Sequence, residues 1–330
     1  MKHTLCISLV LIVFLFSLAW GFAPARGDGA DEPRADAEVP QDSPPLSDGA
    51  CTLRVQLGGT VREMAMDEYL LGVLRAEMPA SFESEALKAQ AVAARTYTLY
   101  KMAQGSIARH PDADACDDIT CCKAYKSAEA AAADWGADAP RYEEKLSRAV
   151  RETDGEILVY DGEPVLAVFF SSAAGHTQGA GEVWQSDLPY LQSVASPEGD
   201  ALVPSYYSVV TFSAQEFRSL VLAAHPAAKL DGSAEGFITD ITRNDAGFVS
   251  TLRVGGVEMR GNELRTILSL RSPTFTVDAD ADSLTFRVTG YGHGVGMSQY
   301  GANAMAQSGS GYVEILDHYF TGAQVVQRDR

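Results

Sequence analysis

Apolar residues run without a charge from Thr4 to Ala23, about the length that crosses a bilayer core as a helix. The chain is therefore expected to leave the cytoplasm. A signal-peptide core is usually only about 7 to 15 residues, which favours an uncleaved, single-pass anchor over 1–27. Ala23, Pro24 and Ala25 resemble the small-x-small pattern of a cleavage site, so a signal peptide and a secreted protein are the alternative. Over 28–50 the pattern changes to Asp, Glu, Pro, Ala and Ser with almost no large apolar residue. Such a composition cannot bury enough surface to offset its ordering entropy and reads as a disordered linker. Residues 51–330 are long enough for one large domain.

Within that domain the apolar period changes repeatedly. Leu53, Val55 and Leu57 alternate before Gly58 and Gly59, which predicts a hairpin. Asp67 can cap a helix whose Leu70, Leu71, Val73 and Leu74 fall on one side. It should end before Pro79, because a residue preceding proline is pushed out of helical space. A second helix, capped by Ser81 or Ser84, is expected from Glu85 to Ala103 in a run rich in Ala, Leu, Lys and Gln. Helical patterns recur near Arg141 to Val150, Gln215 to Ala224, Gly261 to Leu268 and Val313 to Phe320. Strand patterns occupy Glu156 to Tyr160, Val165 to Phe170, Phe237 to Ile241, Phe248 to Val254, Phe275 to Val277 and Leu284 to Val288. The expected class is α+β, with mixed helices and antiparallel strands.

Charge narrows the partners. With 26 Lys and Arg against 44 Asp and Glu, the formal net charge is -18, which argues against nucleic acid because its binders need a basic face. Of five cysteines, Cys6 lies in the apolar segment and Cys51 stands apart, while Cys116, Cys121 and Cys122 crowd together. With His110 they offer four ligands for a tetrahedral zinc shell. A disulfide from Cys116 to Cys121 or Cys122 is the alternative outside the cytoplasm. If zinc took all four protein ligands, no position would remain for an activated water and the site would be structural.

Glu77 is flanked by Met78 and Pro79 at a helix end, where backbone carbonyls disfavour negative charge. Burial there would favour the protonated carboxyl that a glycosidic oxygen needs, although by local sequence alone an exposed helix end is the more ordinary reading of such a Glu. Lys88 and Arg95, seven apart on the next helix, share a stripe that by itself reads as a solvated face. His293, between Gly292 and Gly294, could be a general base or a structural hydrogen-bonding residue.

Five blocks in order carry a family resemblance: the LRAEMPASFESEALKAQAVAARTYT run around Glu77, the His110 to Tyr125 loop, SSAAGHT with the EVW and PYL that follow, GNELRTILSLRSPTF, and the Gly290 to Ala302 block. Through them the chain resembles the stage II sporulation protein D and amidase-enhancer family. The resemblance implies a peptidoglycan lytic transglycosylase outside the cytoplasmic membrane that cuts between N-acetylmuramic acid and N-acetylglucosamine. It implies Glu77 as catalytic acid and base, with Lys88, Arg95, Thr177 and Tyr190 as substrate-contacting residues on the cleft. It favours structural zinc on His110, Cys116, Cys121 and Cys122, with Cys121 where the family pattern has a histidine. A cell-wall amidase is the implied partner, and a non-catalytic amidase activator is the alternative function.

Overall fold

The alternation at Leu53 and Val55 folds into β1 (Thr52–Leu57) and β2 (Thr60–Ala65), paired antiparallel across the Gly58 and Gly59 turn. The structure, a computed structural model, describes residues 47–328 apart from 106–108 and 185. The expected membrane segment and residues 28–46 of the expected linker lie outside the described residues. Among the described residues, no helix is long and apolar enough to cross a membrane.

α1 (Met66–Glu77) buries Tyr69, Leu70, Val73 and Leu74. It stops at Glu77 because Met78, before Pro79, is extended at φ -117° and ψ 134°. Asp67 lies in the first turn, where a carboxylate complements the helix dipole. The cap position belongs to Ala65, which makes no side-chain bond. α2 (Ser84–Ala103) buries Ala86, Leu87, Ala89, Ala91, Val92 and Ala93, so its apolar surface extends around the helix, as expected of one enclosed on all sides. β3 (Ala115–Cys116) joins β1 in parallel. α3 (Ala128–Trp135), α4 (Ala139–Glu152) and β4 (Glu156–Tyr160) follow. The expected strand from Val165 to Phe170 is narrower than its apolar run. Only β5 (Glu163–Pro164) and β6 (Phe169–Phe170) pair, and Val165, Ala167 and Val168 are buried in irregular chain between them.

Past the short α5 (Ala180–Trp184), the chain builds a second core. Its elements are β7 (Tyr207–Ser213), α6 (Ala214–Ala224), β8 (Ile238–Arg243), β9 (Val249–Val254), β10 (Val257–Arg260), α7 (Gly261–Leu268), β11 (Phe275–Ala279) and β12 (Ser283–Thr289). Two antiparallel sheets, in the orders β10-β9-β8 and β11-β12-β7, enclose Phe217, Phe237, Phe275 and Phe286. Each fully buried Phe contributes about 1.5–3 kcal/mol relative to exposure. The chain then returns to the first core as β13 (Met297–Ser298), parallel to β6, then α8 (Gln299–Gln307), α9 (Tyr312–Tyr319) and β14 (Gln324–Gln327), antiparallel to β4. The class is α+β in one domain.

The end of the expected linker is ordered. Asp48 is 1% exposed in a short 3-10 turn and receives the Arg95 side chain, with Nε at 2.9 Å and Nη2 at 2.6 Å. Arg95 Nη1 donates to the Glu156 carbonyl at 2.9 Å. A buried arginine needs these acceptors, and they tie residues 48–50 to α2 and β4. The low-complexity composition concealed this one carboxylate.

Candidate active site and metal-ligand cluster

Asp118 builds the turn that presents the adjacent cysteines. Its carbonyl accepts from the Cys121 and Cys122 amides at 3.0 and 2.8 Å, and its carboxylate accepts from the Thr120 amide at 2.8 Å. Cys116 comes from β3, and His110 precedes it. The four ligand atoms of His110, Cys116, Cys121 and Cys122 lie within 4.8 Å of one another. All three cysteines are free thiols, with Cys121 and Cys122 Sγ atoms 3.7 Å apart. His110 Nδ1 donates to the Ala113 carbonyl at 2.9 Å, which leaves the Nε2 lone pair 3.3 Å from Cys122 Sγ. That backbone bond is the usual device for orienting a ligating imidazole. Three thiols and one such imidazole fit a soft or borderline cation.

The residues after the cluster connect it to Glu77. The Tyr125 ring packs on α1 at Gly72, where an added Cβ would stand 2.0 Å from the ring. Lys126 N–H donates to the Gly72 carbonyl at 2.9 Å, and Ala124 N–H donates to Glu77 Oε1 at 3.1 Å. The strap 122–126 is thereby docked on the helix that carries Glu77, and its backbone fixes one carboxyl oxygen. Glu77, Lys123, Arg265, His293 and Gln299 then line a cavity of about 470 Å³ together with Phe169 and Phe170. It lies where β6 and the returning 291–293 segment meet α7 of the second core.

The electrostatics of this cavity are unequal. Lys123 Nζ sits 4.0 Å from the Tyr97 ring centroid and 3.9 Å from that of Phe169. Burial pulls it down to about 8, against the attraction of Glu77. Half-buried His293 packs 5.5 Å from both Phe170 and Trp184. Burial first, and then the Lys123 and Arg265 charges, pull it down to about 3, so the ring is neutral at physiological pH. His293 Nδ1 accepts the Val295 N–H at 3.2 Å, which puts the ring proton on Nε2. Gly292, at φ +126°, would place a Cβ 2.6 Å from Phe170 Cβ, so this glycine serves close packing of the loop on β6.

Comparison with known proteins places these features in a family. A family model described as "Stage II sporulation protein" matches residues 57–160, which include Glu77 and all four metal-ligand candidates. Stage II sporulation protein D of Bacillus subtilis is 38% identical over 86% of this chain and 84% of its own length. Its namesake in Bacillus amyloliquefaciens is 34% identical over 98% of this chain and 94% of its own. The chain belongs to the stage II sporulation protein D family. The amidase enhancer of Bacillus subtilis is 28% identical over 77% of this chain but only 39% of its own length.

Of the five residues expected on the cleft from the resemblance to stage II sporulation protein D, only Glu77 lines the cavity. Lys88 and Arg95 do share a stripe of α2, but it faces the α4 and β4 side. Lys88 pairs with Glu85 and, at 3.4 Å, with Glu152, and Arg95 is sealed against Asp48. In this packing neither cation lines the cavity. Thr177 is 1% exposed, and its hydroxyl accepts the Val194 amide at 2.9 Å. Tyr190 OH accepts the Leu166 amide at 3.2 Å, which holds the irregular chain before β6. Neither residue lines the cavity. Lys123, Arg265 and Gln299 are the residues sequence reasoning passed over, although all three lie inside or beside the matching blocks. Their only local signal was a cation next to the cysteines and an arginine on an otherwise apolar helix face.

Proposed function

We propose that this protein is a peptidoglycan lytic transglycosylase that uses Glu77 as both acid and base on a glycan strand. The observation that carries the reading is that Glu77 is the one carboxylate lining the cavity among the described residues. Enzymes that hydrolyse glycosides usually need a second carboxylate about 5–9.5 Å away, as nucleophile or to activate water. Glu182, which bonds to Asn244, and Asp187, beside Gly181, lie off the cavity lining. A single carboxyl suffices when the nucleophile belongs to the substrate. Glu77 protonates the bridging oxygen as the C1–O bond breaks, and the carboxylate then takes the proton of the muramic C6 hydroxyl as that oxygen bonds to C1. The products are a free 4-hydroxyl end and a 1,6-anhydro end, with the proton returned to Glu77.

The Ala124 amide holds Oε1 and leaves Oε2 for the substrate. Trp184 and Tyr291, 37% and 44% exposed, offer aromatic faces at the rim for sugar rings. His110, Cys116, Cys121 and Cys122 would hold zinc, which with four protein ligands supplies a cross-link of the loop and no activated water. The protein would act outside the cytoplasmic membrane, tethered by its N-terminal apolar segment.

The test uses a chain beginning at Ser43, which retains Asp48, incubated with glycan strands and followed by mass spectrometry. Products with 1,6-anhydromuramyl ends are expected, and Glu77→Gln should reduce them about 10²–10⁴-fold without unfolding. Similarity to an amidase enhancer favours one other reading, a wall-binding activator of an amidase. Amidase stimulation that survives Glu77→Gln, with no cleavage by wild type, would replace the enzyme reading by that one.

A further inference from the structure

The chain has a formal charge of -18, yet its cavity brings two cations to one carboxylate. Neither cation has an ion-pair partner among the described residues. Lys123 rests on two aromatic rings, and the Arg265 side chain uses only Nε, donating to the Arg271 carbonyl at 3.2 Å. Its two terminal nitrogens have no hydrogen bond among the described residues. Gln299 lines the same cavity at 5% exposure, and its Nε2 is buried without a partner. Leaving a buried donor unpaired is costly, so a native protein keeps one where something else satisfies it.

Three donor side chains, Lys123, Arg265 and Gln299, against the carboxylate of Glu77 describe a receptor for an acceptor-rich anion. The planar guanidinium fork of Arg265 matches a carboxylate. We propose that Arg265, Lys123 and Gln299 form a subsite for a sugar carboxylate, which makes the enzyme read the acid group of the strand at the place where it cuts. The assignment rests on the glycan reading above, and it goes beyond that reading by naming specificity residues away from Glu77.

The test is calorimetric titration of the full chain carrying Glu77→Gln, so that ligand survives. One ligand is a short glycan oligomer with free carboxylates, and the other is the same oligomer with each carboxylate converted to a methyl amide. The acidic oligomer should bind about tenfold tighter or more, the scale of a charged hydrogen bond. Adding Arg265→Gln should bring that ratio close to one by weakening only the acidic oligomer, whereas Arg265→Lys should keep part of it. Where Arg265→Gln fails to fold by circular dichroism, Lys123→Gln carries the same comparison. A ratio near one before any of these changes, or equal weakening of both oligomers by them, overturns the subsite. So does inorganic phosphate that displaces the acidic oligomer at equimolar concentration, which would mark a general anion site. Strand cleavage is read separately with wild type. Anhydro products with a ratio of one defeat the subsite alone, and a sustained ratio without products defeats the transglycosylase reading alone.

Discussion

Arg95 and Arg265 are both arginines on helices of the same domain, and they have opposite surroundings. Arg95 spends Nε, Nη1 and Nη2 on Asp48 and the Glu156 carbonyl, and its side chain is fully buried. Arg265 spends only Nε and presents the rest at a cavity. The contrast shows how to tell a scaffold cation from a site cation. When the protein itself supplies the acceptors, the charge holds chain segments together. When the acceptors are missing, the desolvation cost has been left for a ligand to offset.

The sharpest way to break this comparison is to remove the acceptor from the first arginine. Asp48→Ala leaves Arg95 buried and unpaired, which should cost about 3–5 kcal/mol in urea unfolding. A chain that starts at Cys51 should lose a similar amount relative to one that starts at Ser43. Arg265→Gln should cost about 1 kcal/mol or less, because it frees one hydrogen bond. Equal losses in the two variants would mean that Arg265 is scaffold too.

The same contrast explains what could be read from the sequence. The end of α1 was legible because Pro79 acts on its neighbour, and the four metal-ligand candidates were legible because three of them crowd within a few residues. The second core was largely legible from its apolar runs, apart from the short β10 and from β7, whose exposed face mixes Tyr207 and Val209 with Thr211 and Ser213 and so blurs the alternation. Arg95 was misread because its partner lies in a segment of disordered composition. Lys123 and Arg265 were missed because only tertiary packing brings a strap beside α1 and a helix of the second core to one cavity.

A smaller effect tests the strap. Gly72→Ala drives a methyl into the Tyr125 ring, where overpacking typically costs about 1–3 kcal/mol. Displacing Tyr125 also withdraws the Ala124 amide from Glu77, so strand cleavage should fall in protein that is still folded. Cleavage unchanged at reduced stability would separate the cysteine loop from the site.

Another effect is confined to acid pH and vanishes at neutral pH. His293 in the folded protein sits at about 3, below its ordinary 6.5. Between those values the unfolded chain binds a proton that the folded one refuses, so stability falls as pH drops from 6.5 towards 3 and is unaffected above 6.5. His293→Gln should flatten this acid limb in a series of denaturant titrations. An unchanged slope would mean that the ring is protonated in the fold and is not held neutral by burial and the Lys123 and Arg265 charges.

The smallest expected effect belongs to Lys88. Its partners Glu85 and Glu152 are 34% and 50% exposed, so solvent screens both pairs, and Lys88→Gln should change stability by about 1 kcal/mol or less. Because the side chain lies on the α4 side of α2, with Nζ 5.2 Å from the Tyr312 ring centroid, cleavage should match wild type. The informative result is the opposite one. If Lys88→Gln abolished cleavage while unfolding stayed the same, a strand would have to reach that face as well, and the division between scaffold and site cations on α2 would fail at Lys88.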